Sequence, residues 1–139
     1  VGRQPEPITK DIKELCEKHW DAHKNNCSGF VKAVAAELNI TLTGQANDIV
    51  DQIQKTPWTV LKDGKEADAE ARKGKFVVAG LKGKEHGHVA IIVPGEIARV
   101  KYPTGYWGSL LSVGRKNQTF NYSWNKDSID KVLYASIQF

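Results

Sequence analysis

Residues 27–38 read CSGFVKAVAAEL, and this stretch decides the fold. Its apolar side chains recur at the i, i+3, i+4, i+7 and i+8 positions that share one face of an α-helix. Those positions hold Cys27, Phe30, Val31, Val34, Ala35 and Leu38. Asn26 stands directly before them and is a favoured N-cap residue. The stretch therefore predicts a helix with Cys27 in its first turn and one face buried in the core.

Further helices are predicted on both sides of this one. The preceding segment, which the pair Asn25-Asn26 ends, has helical spacing at Ile12, Leu15, Cys16 and Trp20. The following segment repeats the pattern with Ala46, Ile49, Val50 and Ile53. Residues 67–72 predict a short surface helix, and residues 1–8, with two prolines, an irregular lead-in.

The second half of the chain has short β-branched runs instead. Residues 76–79 and 89–93, joined by a glycine-rich charged turn at 82–87, predict an antiparallel hairpin. Further strands are expected at 97–102, 109–113 and 132–139, with turns at 94–95 and 103–105. Helices followed by strands predict an α+β fold in which the N-terminal helices pack on an antiparallel sheet.

Length and composition exclude several classes of protein. The 139 residues predict one domain, 1–139, and 40% hydrophobic with 26% charged residues is ordinary for a globular protein. A net charge of +4, spread along the chain, does not demand a nucleic-acid partner. No apolar run is long enough to span a membrane. The absence of Met, with Val1 first, is typical of a processed end and suggests export.

Cys27 is the first candidate for chemistry. At a helix start, unpaired backbone N–H groups and the positive end of the helix dipole favour a thiolate. Gly29 costs about 1 kcal/mol relative to Ala in a helix interior, so we expect substrate or the sheet to approach the thiol closely there. The alternative is that Cys27 is simply a small buried hydrophobic residue.

His88 is the candidate partner of Cys27. It directly follows Gly87 and opens the strand 88–93, where a side chain can face a cleft. A cysteine before a helix and a histidine on a later strand is the papain-like order. His88 would take the thiol proton and later protonate the leaving amine, and the backbone N–H of Cys27 would donate to the oxyanion.

Two motifs carry a resemblance to a known family. The segment Asn26-Cys27-Ser28-Gly29-Phe30-Val31 is similar to the Asp-Cys-Ser-Gly-Phe signature of NlpC/P60 cysteine peptidases. The segment Gly87-His88-Val89-Ala90-Ile91 resembles their Gly-His-Val-Gly-Ile strand. The sequence resembles most closely the type VI secretion amidase effectors, which are compact NlpC/P60-like enzymes that cut peptidoglycan stem peptides.

The resemblance implies a papain-like NlpC/P60 fold, Cys27 as nucleophile, His88 as base, and neither metal nor cofactor. It implies a monomer that hydrolyses the γ-D-glutamyl–diaminopimelate or D-alanyl–diaminopimelate amide. It also implies a secreted antibacterial lytic protein that acts on the bacterial wall, in the periplasm of a target cell or extracellularly. A bacterial effector would have a cognate immunity protein, whereas some animals, ticks among them, secrete domesticated copies.

The expected substrate cleft contains Asn26, Ser28, His86 and Trp107. Asn26 replaces the usual Asp but keeps a capping side chain. Trp107 stands where some family members carry Cys, and the residue that would orient the imidazole stays unassigned.

A zinc-dependent wall peptidase is one alternative. His19 and His23 are spaced i, i+4 on a predicted helix, and His86 and His88 are two apart on an extended segment. Both spacings can chelate zinc, but the helical pair lacks the Glu of a His-Glu-x-x-His motif.

A non-catalytic wall-binding module is the second alternative. It would use aromatic side chains of the second half of the chain, which can stack on sugars. These are Tyr102, Tyr106, Trp107, Tyr122 and Trp124. A further condition concerns Cys16, because a Cys16–Cys27 disulfide would remove the proposed nucleophile.

Overall fold

The computed structural model describes residues 11–84, 86–98, 102–109, 114–119 and 129–139. Within these ranges the chain forms four α-helices, six β-strands and a short 3₁₀ turn at Ile129–Lys131. The helices are α1 (Ile12–His23), α2 (Cys27–Glu37), α3 (Ala46–Gln52) and α4 (Gly64–Arg72). The strands are β1 (Thr59–Leu61), β2 (Phe76–Leu81), β3 (His88–Ala98), β4 (Tyr102–Trp107), β5 (Arg115–Thr119) and β6 (Leu133–Ile137).

Short polar side chains start three of the helices. Asp11 accepts a hydrogen bond from the backbone N–H of Lys13, and Asp63 accepts one from that of Glu66. The side chain of Asn26 accepts one from the N–H of Gly29 at the start of α2. Each bond satisfies a backbone donor that has no partner within its helix.

The strands form one antiparallel sheet in the order β1-β6-β2-β3-β4-β5. This confirms the predicted α+β class and the hairpin of β2 and β3, in which Val78 pairs with Ile91. Among the described residues, none of the helices has the length and apolar character needed to cross a bilayer.

Helices cover both faces of the sheet. The side chains of Val78 and Ile91 lie in the same buried cluster as α1, α2 and α3. Their neighbours Val77 and Ile92 point to the other face and pack with α4. Because both faces are buried, β2 and the first part of β3 are continuous apolar runs rather than alternating ones.

The expectation of a surface helix at 67–72 was wrong in two respects. The helix begins at Gly64, and its side chains Ala67 and Ala71 are buried against the sheet. Asp68 is also buried, and its carboxylate accepts a hydrogen bond from Arg72 at 2.7 Å. Arg72 in turn donates to the carbonyl oxygen of Gly95, which fixes α4 to β3.

The predicted turns at 94–95 and 103–105 were also wrong. Both segments lie inside strands, and the ladder between β3 and β4 has an irregularity between Val93 and Ala98. At this bulge the hydroxyl of Thr104 donates to the carbonyl oxygen of Glu96 at 2.7 Å. A Cβ on Gly95 would lie 2.7 Å from the Thr104 side chain, so glycine is required by close approach of β4 and not by a turn.

The remaining strand predictions were met in part. The predicted strand 132–139 is observed as Leu133–Ile137, whereas β1 and β5 were not predicted. The predicted strand 97–102 is instead the end of β3 and the start of β4, with 99–101 outside the described residues. Ser109 lies outside the strands, and 110–113 and the lead-in 1–8 lie outside the described residues.

The corner between α1 and α2 rests on the end of β4. Trp20 donates its indole N–H to the carbonyl oxygens of Trp107 and Arg115, at 3.1 and 3.0 Å. The backbone N–H of Ser109 donates to the carbonyl oxygen of Lys24 at 2.9 Å. A Cβ on Gly108 would lie only 2.3 Å from the His23 carbonyl oxygen. These contacts set the position at which α2 begins.

We expect Gly108→Ala to lower the free energy of unfolding by about 2–3 kcal/mol, because the added methyl collides with backbone that cannot rotate away. Gly74→Ala is the control, since a Cβ there meets nothing within 4 Å and the φ of +87° alone costs about 1 kcal/mol. Urea unfolding followed by tryptophan fluorescence measures both losses. Equal losses would contradict the close contact at Gly108.

Candidate active site

A cleft of about 470 Å³ opens where the starts of α2 and α3 meet the segment before β3. It is lined by Asn26, Cys27, Ser28, Gln45, Ala46, Asn47, His86 and Gly87. Three of the predicted cleft residues, Asn26, Ser28 and His86, lie here. Among the described residues, the lining carries amide, hydroxyl, thiol and imidazole groups and no carboxylate.

Cys27 is the first residue of α2 and has 8% of its surface exposed at the base of the cleft. Asn26 holds this turn together, because its Oδ1 accepts from the N–H of Gly29 at 3.0 Å and from the hydroxyl of Ser28 at 2.9 Å. The Ser28 hydroxyl also lies 3.4 Å from Oε1 of Gln45, which joins the starts of α2 and α3.

The side chain of Asn26 gives a structural reason for a glycine at position 29 that the sequence did not predict. A Cβ there would lie 3.1 Å from both Cγ and Nδ2 of Asn26, which is tighter than ordinary van der Waals contact. The glycine therefore makes room for the capping side chain, and the expected close approach of substrate to the thiol stays a prediction.

His88 is the first residue of β3 and is partly buried. The backbone N–H of the next residue, Val89, donates a hydrogen bond to the sulfur of Cys27. The thiol is thereby held against the backbone that carries the imidazole. Within the sheet, His88 pairs with Leu81 at the end of the β2–β3 ladder that adjoins the turn.

Burial governs the protonation of both groups. It raises the pKa of the Cys27 thiol, although hydrogen bonds from the N–H groups of Val89, Ser28 and Cys27 itself act in the opposite direction. Burial also lowers the pKa of His88 to about 4. At neutral pH the resting site thus contains a thiol and a neutral imidazole, and the thiolate expected from the helix start alone is not the resting form.

Trp107 does not line the cleft, contrary to the prediction. It is 1% exposed and packs in the apolar cluster on the α4 face of the sheet. Its contribution to the site is its backbone carbonyl, which accepts from Trp20 near the start of α2.

Four lining residues were missed from the sequence, namely Gln45, Ala46, Asn47 and Gly87. Gly87 belongs to the second motif, although the sequence did not place it in the cleft. The other three belong to a helix start that only tertiary packing brings to Cys27.

Of the histidines proposed for a zinc site, His86 lines the cleft, whereas His19 and His23 lie elsewhere. His19 and His23 stack with ring centroids 6.3 Å apart, and Nε2 of His19 lies 3.1 Å from Oε2 of Glu37 rather than at the cleft. Among the described residues, no group of three or more His, Cys, Asp or Glu side chains is arranged to hold a metal ion.

The aromatic side chains of β4 are not available for stacking on a sugar. Tyr102, Tyr106 and Trp107 are buried, and Tyr122 and Trp124 lie outside the described residues. Cys16 and Cys27 are both free thiols, and Cys16 is completely buried in the core.

Comparison with known proteins agrees with the two motifs. No family model matches the chain. The chain is, however, similar to the peptidoglycan amidase Tse1 of Pseudomonas aeruginosa, with 38% identity over 134 residues that cover 88% of this chain and 86% of Tse1. Identity at this level over most of both chains shows that the protein belongs to the amidase family of Tse1, the type VI secretion effector family that its motifs resemble.

Proposed function

We propose that this protein hydrolyses an amide bond in the peptide part of peptidoglycan, with Cys27 as nucleophile and His88 as general base. Its family membership supports the substrate, since Tse1 is a peptidoglycan amidase. One observation carries the choice of residues. The Cys27 sulfur accepts a hydrogen bond from the backbone N–H of Val89, the residue that follows His88. Cys27 also lines the cleft.

The protonation states define the first step. Because the thiol and the imidazole are both neutral at rest, His88 takes the proton of Cys27 as the sulfur attacks the carbonyl carbon. The backbone N–H groups at the start of α2 donate to the oxyanion that forms. The imidazolium then gives its proton to the leaving amine, and a thioester remains on Cys27.

The second step regenerates the enzyme. His88, neutral again, removes a proton from water as the water attacks the thioester carbonyl. The tetrahedral intermediate expels the Cys27 sulfur, which recovers its proton from His88. The products are a carboxylic acid and an amine, so the overall reaction is amide hydrolysis without metal or cofactor.

The cleft chemistry suits either scissile bond. Both the γ-D-glutamyl–diaminopimelate and the D-alanyl–diaminopimelate amides lie close to free carboxylates of the stem peptide. The lining side chains Asn26 and His86 offer hydrogen-bond donors, and none of the described lining residues carries a carboxylate that would repel such a substrate. We propose that the protein acts on the wall of a target bacterium after secretion. If its source is a bacterium, we also propose that a cognate immunity protein binds it.

We expect Cys27→Ala and His88→Ala each to reduce release of peptidoglycan fragments by at least about 10³-fold, because each removes a group that reacts. Cys16→Ala is the control and should keep wild-type activity, since this thiol is buried away from the cleft. Mass spectrometry of digested sacculi, with and without a chelator, measures release and identifies the bond. Release that survives Cys27→Ala but stops with the chelator would favour a zinc enzyme, and no release from wild type would favour a binding module.

The acid limb of the pH profile gives a second test. His88 must be neutral to accept the thiol proton, and its pKa of about 4 keeps it neutral throughout the mildly acidic range. We therefore expect kcat/KM to fall with an apparent pKa near 4. A limb near 6.5, the ordinary value for histidine, would contradict a desolvated base.

The fraction of folded protein is followed at each pH as a control. The unfolded chain binds a proton at His88 near pH 6.5, but the folded chain does so only near pH 4. The contribution of His88 to the free energy of unfolding is therefore complete above pH 6.5 and is lost as the pH falls towards 4. Circular dichroism separates this loss of fold from the loss of the catalytic base.

A further inference from the structure

The side-chain amide of Asn47 makes two hydrogen bonds to one residue of the turn between β2 and β3. Its Nδ2 donates to the carbonyl oxygen of Gly83 at 2.9 Å, and its Oδ1 accepts from the N–H of Gly83 at 3.1 Å. The two residues are 36 positions apart in the sequence. A planar amide supplies one donor and one acceptor at the spacing of a peptide unit, so it binds the turn as another strand would.

Gly87, at the other end of the same turn, also lies close to this amide. A Cβ on Gly87 would lie 2.3 Å from Oδ1 of Asn47 and 2.8 Å from the carbonyl oxygen of Leu81. The chain therefore touches Asn47 at Gly83 and again at Gly87, immediately before His88.

Helix α3 is anchored independently of this amide. Ile49 and Val50 are buried in the core, and a Cβ on Gly80 of β2 would lie 2.7 Å from Cγ2 of Val50. Asn47 is the second residue of α3, so the core fixes its backbone while its amide reaches the turn. Because the core fixes α3, the amide of Asn47 restrains the position of the segment that ends at His88.

We propose that Asn47 is a positioning residue that holds His88 in register with Cys27. This inference rests on the proposed roles of Cys27 and His88. Asn47 takes no part in bond making, and it acts through the turn by limiting the positions of the imidazole. Without the amide, the turn keeps its covalent ends in β2 and β3 but loses the two hydrogen bonds that Gly83 makes to α3.

The same turn offers a matched control. Lys82 forms an ion pair with Asp51 of α3, with Nζ 2.8 Å from Oδ1, and both side chains are about half exposed at 51% and 52%. This pair also joins the turn to α3, but solvent screens it and it does not contact Gly87. Lys82→Ala therefore removes a link between the same two elements without releasing the segment before His88.

The test compares Asn47→Ala with Lys82→Ala on soluble cross-linked muropeptides. We expect Asn47→Ala to lower kcat about 10–100-fold with KM within about twofold of wild type, since a small misplacement of a catalytic group has effects of this size. Lys82→Ala should stay within about twofold in both constants. A rise in KM with unchanged kcat would mean that Asn47 binds substrate, and wild-type constants would mean that it positions nothing. Either result overturns the proposal.

A spectroscopic measurement is independent of turnover. NMR titration of the histidine ring protons, with His88 assigned by its loss in His88→Ala, reports the environment of the imidazole directly. We expect the His88 titration midpoint to move up towards 6.5 in Asn47→Ala, because a loosened turn admits water, and to stay in place in Lys82→Ala. An unchanged midpoint in Asn47→Ala would overturn the proposal.

Three further outcomes separate the positioning role from a loss of the fold and from failure of the proposed function. If Asn47→Ala does not fold, Asn47→Asp keeps the acceptor for Gly83 and loses the donor, and we expect a 3–10-fold loss of kcat. If Cys27→Ala retains activity, the proposed function fails regardless of Asn47. If Cys27→Ala is inactive and the Asn47 variants behave as wild type, only the positioning role fails.

Discussion

The site depends on one contact, in which the first turn of a buried helix lies directly against the first residues of a central strand. The N–H of Val89 donates to the sulfur of Cys27. The start of α2 must therefore lie close to β3 and beside Val89 along that strand. Two separate arrangements maintain this approach. The end of β4 supports the corner before α2 through Gly108, and Asn47 of α3 holds the turn before β3. The core between them, with Phe30, Val31 and Ile91, fixes the distance.

The electrostatics of this contact follow from its depth. A helix N-terminus stabilises a nearby negative charge by about 0.3–1 kcal/mol when exposed, whereas desolvation can shift a pKa by several units. At Cys27 desolvation has the larger effect, and the thiol stays protonated in spite of three backbone donors. The same burial keeps His88 neutral and able to accept a proton. In the proposed mechanism, this buried pair of neutral groups keeps its proton on sulfur until the carbonyl carbon of a substrate is available.

The sequence predicted those parts of the molecule that local patterns determine. Periodicity located α1, α2 and α3, and β-branched runs located the central hairpin. Cys27 lies at the start of a helix and His88 at the start of a strand, as predicted, whereas their catalytic roles stay predictions. Long-range packing determines what was missed. The edge strands β1 and β5 lack a pattern of alternating apolar residues. β1 has only three residues, and β5 is polar and mostly exposed. The Pro-Gly pair at 94–95 gave a turn signal, yet Gly95 makes room for Thr104 of the adjacent strand. Asn47 had no signal at all, because its role depends on a turn 36 residues away.

The strand order has a consequence for how the protein is made. Of the described strands, β6 is the latest in the sequence, yet it lies between β1 and β2. It pairs with β2 along its whole length and with β1 through residues 134–136. A nascent chain that has emerged from the ribosome only as far as β5 has Cys27, His88 and the central hairpin, but β1 has no partner and the outer edge of β2 is bare. The sheet therefore closes only after translation has passed residue 137, and products of premature termination lack the strand that unites the sheet. In a cell that synthesises an enzyme of this family, this order delays closure of the sheet until β6 has emerged from the ribosome.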